Sequence, residues 1–226
     1  MIWEILRTIR VSLISTTLLY TSYLDWKYRE VDDKVWIISG TIALILTVFD
    51  LVYEWSIDRL LLSLISIGFS SGLAFAFYFL GLYGGADAKA ILVISIGLPL
   101  YYPAWSLHPF TGLASLVNGL IFSLILPICI LLYNLAQLIK REKIFEGFEH
   151  ESSLRKFFAL FFGVRLKNAR DRKYWFLMEE SNNVRRFKFG LFSLELSEID
   201  RDDVWVTPGI PLLIFITVGF LYFIFV

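Results

Sequence analysis

Long apolar runs separated by short polar links make up most of the sequence. The runs cover residues 3–24, 35–53, 60–83, 90–139 and 204–226. A helix that crosses the hydrocarbon core of a bilayer needs about 20 apolar residues. Residues 90–139 contain no Asp, Glu, Lys or Arg, and prolines between residues 99 and 109 divide this run in two. The pattern therefore predicts an α-helical polytopic membrane protein with six transmembrane helices.

The segment 140–203 has a different composition. It contains 14 of the 21 basic and 12 of the 21 acidic residues, which indicates a water-exposed insertion between helices five and six. Aromatic-rich runs on both sides of Ser181-Asn182-Asn183 are typical of a β-hairpin. We therefore expect three domains: residues 1–139 with helices one to five, residues 140–203 as a small β-containing soluble insertion, and residues 204–226 as helix six.

Composition supports a membrane location and narrows the possible partners. Hydrophobic residues make up 57% of the chain and the mean hydropathy is +0.66, above the values of soluble domains. The basic and acidic residues balance, so the charge indicates no nucleic-acid partner. Cys129 is the single cysteine, and the two histidines lie in unrelated contexts. We therefore expect the lipid bilayer as a partner and no metal ion or cofactor.

The distribution of lysine and arginine predicts the orientation. Six spans place residues 25–34, residues 84–89 and the insertion on one side, with 18 basic residues against three on the other. Without the insertion the short links still hold four against three. Basic residues accumulate in cytoplasmic loops, so this side is predicted to be cytoplasmic in a multi-pass protein of the cell membrane.

Two carboxylates stand at the ends of predicted spans on this same side. Asp25 ends the first run, and Asp87 follows the third. Gly84, Gly85 and Ala86 precede Asp87 and leave room for another group to approach it. Two neighbouring carboxyl groups share a proton, as in an aspartic-protease dyad. The alternatives are that Asp87 caps a helix and that Asp25 is a solvated boundary residue.

These motifs resemble those of a known family. Asp25-Trp-Lys-Tyr-Arg29-Glu-Val and Gly84-Gly85-Ala86-Asp87-Ala88-Lys89 are similar to the two catalytic motifs of GxGD-type membrane aspartic proteases, and most similar to those of archaeal preflagellin peptidases, relatives of type IV prepilin peptidases. The resemblance implies that Asp25 and Asp87 are catalytic, that no cofactor is needed, and that short leader peptides are removed from preflagellin- or prepilin-like precursors at the cytoplasmic membrane face. Ala86 stands where the family motif has glycine.

Charged residues near the two acids are further candidates. Arg29 and Lys89 either tune the acid pair or contact lipid headgroups. Glu30, Asp32 and Asp33 are candidates for attracting basic residues that precede the cleavage site of a substrate. The alternative is a solvated link in which Asp32 or Asp33 caps helix two.

Two prolines precede the last predicted helix. Pro208 and Pro211 either hold an unwound segment whose backbone pairs with an extended substrate, or simply mark the start of a helix.

A second class of function remains open from the residues alone. Asp25 and Asp87 are also candidates for the ion-coupling acids of a small membrane transporter. Coupling sites of transporters lie near the bilayer midplane, whereas these two acids fall at predicted helix ends. Their position therefore favours hydrolysis at the interface. A third hypothesis is a scaffold whose insertion recruits a partner, in which neither acid matters.

Overall fold

The computed structural model describes residues 2–170, 172–182, 184–189, 199 and 201–226, in which a series of helices is followed by short strands and a last helix. The helices are α1 Ile2–Tyr28, α2 Asp33–Tyr53, α3 Ile57–Phe79, α4 Gly85–Gly97, α5 Thr111–Ser123, α6 Ile125–Ile139, α7 Ser153–Phe162 and α8 Leu212–Phe225. The strands are β1 Val164–Leu166, β2 Trp175–Leu177, β3 Glu179–Asn182, β4 Val184–Phe187 and β5 Val204–Pro208. They form two units, Met1–Ser123 with Pro211–Val226, and Leu124–Ile210.

Helix α4 lies at the centre of the first unit. It contacts α1, α2, α3, α5 and α8. Apolar and small side chains surround its axis, and Ala88, Ala90, Ile91 and Ile94 are fully buried. A helix that is apolar on all sides is normally buried in this way. The surrounding helices therefore fix the first turn of α4, which carries Asp87.

Two glycines allow α5 and α8 to pack with their backbones in close approach. A Cβ atom on Gly219 would lie 2.6 Å from the backbone nitrogen of Gly119. A Cβ atom on Gly119 would lie 2.9 Å from the Cα of Ile216. Small residues at helix interfaces have this effect in membrane proteins. The last helix of the chain is thereby held in the first unit.

The second unit contains the small sheets that the sequence predicted for the insertion. Strand β5 lies between β1 and β2 and pairs antiparallel with both, while β3 and β4 form an antiparallel hairpin. The predicted turn residue Asn183 is outside the described part of the chain. Trp205, Phe148 and Phe187 are fully buried in the core of this unit, and the indole nitrogen of Trp205 donates to the Ile144 carbonyl at 3.0 Å.

The start of the last helix differs from the prediction. The apolar run begins at Val204, but residues Val204–Pro208 form strand β5, and α8 begins only at Leu212. Val, Thr and Trp favour strands, and the side chains of Val204 and Val206 are buried against the sheet. Apolar sequence does not distinguish burial in protein from burial in lipid. The predicted helix therefore began at Val204, whereas α8 begins at Leu212.

Three described helical segments are long and apolar enough to cross a membrane: Asp33–Tyr53, Ile57–Phe79 and Thr111–Ile139. They make this a helical membrane protein. Helix α3 ends at Phe79, before the predicted residue 83, because Gly81 turns the chain at φ 71°. Helices α4 and α8 have 13 and 14 residues, about 20 Å each, which is shorter than the roughly 30 Å hydrocarbon core.

Candidate active site

Asp87 lies in the first turn of α4 and is buried. Its Oδ2 atom accepts a hydrogen bond from the backbone N–H of Gly84 at 3.1 Å, which closes a capping interaction at the helix N-terminus. Gly84 itself occupies the N-cap position. A Cβ atom on Gly84 would lie 3.4 Å from Oδ2 of Asp87, in van der Waals contact with the carboxyl group. Asp87 therefore takes part in helix capping and is also held in a defined place.

Asp25 lies in the last turn of α1 and is half-buried. The helix ends at Tyr28, and the backbone N–H of Arg29 donates to the carbonyl oxygen of Asp25 at 2.9 Å. Arg29 has φ 56°, in the left-handed region that side chains other than glycine rarely adopt. Arg29 therefore closes α1 one residue beyond its last helical residue, Tyr28.

The two acids lie close enough to affect each other, and both are outside the three candidate spans. Burial, and after it the negative charge of Asp25, raises the pKa of Asp87 to about 7. The hydrogen bond from Gly84 and the positive charge of Arg29 act in the opposite direction and lower this pKa. Burial also raises the pKa of Asp25, while Arg29 lowers it. Near neutral pH the pair therefore shares a proton, and Asp87 is the acid that holds it more tightly.

Lys89 contacts a different acid from the one the sequence suggested. Its Nζ atom is 2.5 Å from Oδ1 of Asp33, and Lys89 does not figure among the causes of the raised pKa of Asp87. The ion pair joins the start of α2 to the first turns of α4. Both side chains are partly exposed, so we expect the pair to contribute at most about 1 kcal/mol. Lys89 therefore links two segments that flank the acid pair.

The acidic link after α1 has structural partners of its own. Asp32 is the N-cap of α2 and accepts from the backbone N–H of Lys34 at 2.8 Å, which is the capping alternative stated above. Glu30, Asp32 and Asp33 line an open depression of about 720 Å³ together with Leu24, Tyr28 and Val31. Within the described residues, no group of three or more His, Cys, Asp or Glu is arranged to hold a metal ion.

The remaining predicted site residues occupy separate places. A Cβ atom on Gly85 would lie 3.4 Å from the ring of Tyr78, and Ala86 packs against the buried apolar cluster of the first unit. Pro208 ends β5 opposite Trp175, with Gly209 donating to the Tyr174 carbonyl at 2.9 Å. Pro211 directly precedes α8. The substrate roles predicted for the two prolines stay predictions.

A buried ionic network at the far end of α4 escaped the sequence analysis. Arg10 donates from Nε to the Gly97 carbonyl at 2.7 Å and from Nη1 to Asp50 at 2.5 Å. Asp50 also accepts from Arg59 at 2.6 Å. Thr47 donates to the carbonyls of Ile96 and Gly97, so the last two carbonyl groups of α4 have hydrogen-bond donors. Arg10 also places a positive charge at the negative end of the helix dipole.

The signal for this network was the presence of opposite charges inside two apolar runs. Arg10 lies near the outer end of the first predicted span, and Asp50 near the outer end of the second. Charges within apolar spans usually face the protein and pair with one another. In the structure Arg10 is 5% exposed and ion-paired with Asp50.

Comparisons with known proteins identify the family of the chain. The model of the type IV leader peptidase family matches residues 12–133, which include Asp25 and Asp87. The preflagellin peptidase of Methanocaldococcus jannaschii is 26% identical over 223 residues, covering 90% of this chain and 88% of the relative. That of Methanococcus maripaludis is 24% identical over 219 residues, covering 90% and 89%. The resemblance to archaeal preflagellin peptidases is thus confirmed, and the chain belongs to the type IV leader peptidase family.

Proposed function

We propose that this peptidase is a membrane-embedded aspartic endopeptidase that removes the short leader peptide from preflagellin- or prepilin-like precursors at the cytoplasmic membrane face. The observation that carries the proposal is the pair Asp25 and Asp87, two carboxyl groups whose pKa values are both raised and whose charges interact. The names of the relatives support the substrate class.

The two acids divide the chemistry by their surroundings. Asp25, the less buried acid, is ionised and takes a proton from the attacking water. Asp87, the more buried acid, is protonated and donates a hydrogen bond to the scissile carbonyl oxygen. Water oxygen bonds to the carbonyl carbon, the carbon–nitrogen bond breaks, and the leaving amine takes up a proton. The capping contact of Asp87 with Gly84 keeps its carboxyl group oriented during these steps.

The proposed topology keeps six spans: the first ends at Leu24, before Asp25, and the short span of α4 begins at Ala90, after Asp87, with α8 as the second short span. Residues 1–139 carry the first five spans and the acid pair, and the insertion extends to strand β5, so that the last span begins at Leu212. The excess of lysine and arginine supports a cytoplasmic position for the insertion and for both acids.

The acidic depression after α1 is the proposed contact for basic residues of the leader. Glu30 is exposed there, while Asp32 and Asp33 hold partners in their own chain. Exposed charge pairs contribute about 0.2–1 kcal/mol each, so we expect this surface to affect substrate affinity more than turnover.

The cleavage reaction itself tests the proposal. We expect the purified protein, reconstituted in lipid nanodiscs, to cut a leader-bearing precursor once, at the junction of leader and mature protein. Mass spectrometry of both products locates the bond. A precursor whose basic residues before the junction are replaced by glutamine serves as the control and is expected to have a higher KM. Cleavage at scattered bonds, or none, would contradict the proposal.

The raised pKa values predict a pH profile. Above a pH of about 7, Asp87 loses its proton and both acids become negative, so kcat/KM should fall. Folded Asp87 binds its proton more tightly than the unfolded chain does. The free energy of unfolding should therefore decrease as pH rises from about 4 to about 7, and change little above it.

Three variants separate the effect on kcat/KM from the effect on stability. Arg29→Gln removes a charge that lowers both pKa values, so the alkaline fall in kcat/KM should move to higher pH. Lys34→Gln, an exposed charge on the same link, is the matched control and should leave the profile in place. Asp87→Asn should flatten the dependence of unfolding on pH. Identical profiles for Arg29→Gln and the wild type would contradict this electrostatic account.

A further inference from the structure

Helix α7 of the second unit turns its aromatic side outward. Leu154, Phe157, Phe158 and Phe162 are 43–65% exposed. At about 100° per residue, these side chains fall within an arc of about 140° on one side of the helix, and this arc contains no charged residue. An exposed apolar face of this kind marks an interaction surface.

The two charged residues of α7 lie outside this arc and bind groups of their own unit, although the Arg155 side chain remains 44% exposed. Arg155 forms an ion pair with Glu151 at 2.8 Å and donates to the Phe187 carbonyl. Lys156 donates to the Glu149 carbonyl at 3.2 Å, and Ala159 is fully buried. The outer face of a surface helix in a soluble protein is charged or polar, whereas the outer arc of α7 holds no charged residue. The outward medium for α7 is therefore apolar.

A buried asparagine in α6 fixes the position of α7. Asn134 is 1% exposed, and its Nδ2 atom donates to the carbonyl oxygens of Leu160 at 2.9 Å and Gly163 at 2.7 Å. The carbonyls at a helix C-terminus have no partner within the helix, so Asn134 satisfies groups that otherwise need water. A Cβ atom on Gly163 would lie 2.5 Å from Sδ of Met178, so this end of α7 is also closely packed on the protein.

The contact between Asn134 and α7 also indicates how deep α7 lies in the membrane. Helix α6 ends at Ile139 and is followed by Lys140, Arg141 and Lys143, which are typical of the headgroup region. Asn134 lies five residues before this end, about 8 Å along the helix axis. Helices that lie in the membrane interface are buried by about 5–10 Å. The C-terminus of α7 is thus level with the upper acyl chains.

We propose that α7 is an interfacial membrane helix, which lies in the boundary between headgroups and acyl chains and anchors the insertion there, at a depth set by Asn134. The occupant of the aromatic face is lipid, because α7 packs on α6, whose exposed side chains Ile125, Ile128 and Leu132 are apolar and belong to a candidate membrane span. This role is independent of the proposed proteolytic reaction.

Fluorescence quenching in the full-length protein tests the proposal. In a Cys129→Ala background, single cysteines replace Phe158, Phe162 or, as a control, the exposed Asn168 between β1 and β2. Each carries an environment-sensitive fluorophore in phosphatidylcholine–phosphatidylglycerol nanodiscs. We expect blue-shifted emission at 158 and 162, quenching there by lipids with a nitroxide near the headgroup, and protection from aqueous iodide. The label at 168 should show the reverse.

Two results would overturn the assignment to lipid. Labels at 158 and 162 that iodide quenches as well as the label at 168 would place this face in water. Labels protected from both iodide and lipid quencher would mean that a second copy or another protein covers the face.

The depth of α7 is tested with Asn134→Leu, which removes the hydrogen-bond donor and leaves an apolar side chain of similar size. We expect lipid quenching at 162 to fall towards the level at 168. Asn168→Leu, with the same label at 162, is the matched control and should leave quenching unchanged. Equal quenching in both variants would overturn the assignment of Asn134 as the residue that sets the depth. Circular dichroism and gel filtration of each labelled protein exclude unfolding as the cause.

Discussion

Replacing either Asp25 or Asp87 by asparagine should lower kcat for precursor cleavage by roughly 10²–10⁴-fold, the usual effect of losing a general acid or base. Asparagine keeps the shape of the side chain but neither takes up nor releases a proton. Because the two acids share one proton, the double variant should be little worse than either single variant. The measurement is single-turnover cleavage of a leader-bearing precursor in nanodiscs.

Controls for this prediction come from neighbouring acids. Asp32→Asn removes a charge in the same link, at a helix cap, and should change kcat much less than the dyad variants do. Asp87 also accepts the Gly84 hydrogen bond, so Asp87→Asn is compared with the wild type by thermal unfolding. Near-normal kcat in either dyad variant would remove that acid from the proposed mechanism.

Replacing Asp50 by asparagine should destabilise the first unit by about 3–5 kcal/mol, the range for breaking a buried ion pair. The variant leaves Arg10, which is 5% exposed, without its carboxylate partner. Arg10 also binds the last turn of α4, so loosening this end should affect the helix that carries Asp87 at its other end. The measurement is denaturant unfolding in a mild detergent.

Glu54→Gln is the matched control for this network. Glu54 pairs with Arg59 at 2.9 Å, but its side chain is 50% exposed. Exposed pairs contribute about 0–1 kcal/mol, so this variant should unfold nearly as the wild type does. Equal destabilisation by the two variants would contradict the expectation that burial makes the ion pairs of Asp50 contribute more to the free energy of unfolding than an exposed pair does.

Together these contacts explain how a short helix holds the proposed catalytic group Asp87 in place. Helix α4 has 13 residues, and its ends are fixed in different ways. At the N-terminus the carboxyl group of Asp87 accepts a hydrogen bond from the backbone N–H of Gly84, and Lys89 forms an ion pair with Asp33. At the C-terminus Arg10 and Thr47 bind the last carbonyls. The geometry of the acid pair therefore depends on residues on both sides of the proposed membrane.

The sequence by itself determined the apolar helices, the β-containing insertion and the identity of the candidate acids. Apolar runs near bilayer length leave few structures other than helices, because backbone polar groups in lipid must bond within the chain. The motifs around Asp25 and Asp87 identified the family before any contact was known. These features follow from local composition and spacing, which a linear pattern records.

Only the tertiary structure decided which partners the charged and apolar side chains find. The acids Asp33 and Asp50 bind Lys89 and Arg10 from segments distant in sequence, and no local pattern gives such pairings. Val204–Pro208 belongs to the last apolar run of the sequence but forms a strand between β1 and β2. The outward direction of the phenylalanines of α7 likewise follows from its packing on α6. Hydrophobicity predicts that a side chain leaves water, but only packing determines whether protein or lipid then surrounds that side chain.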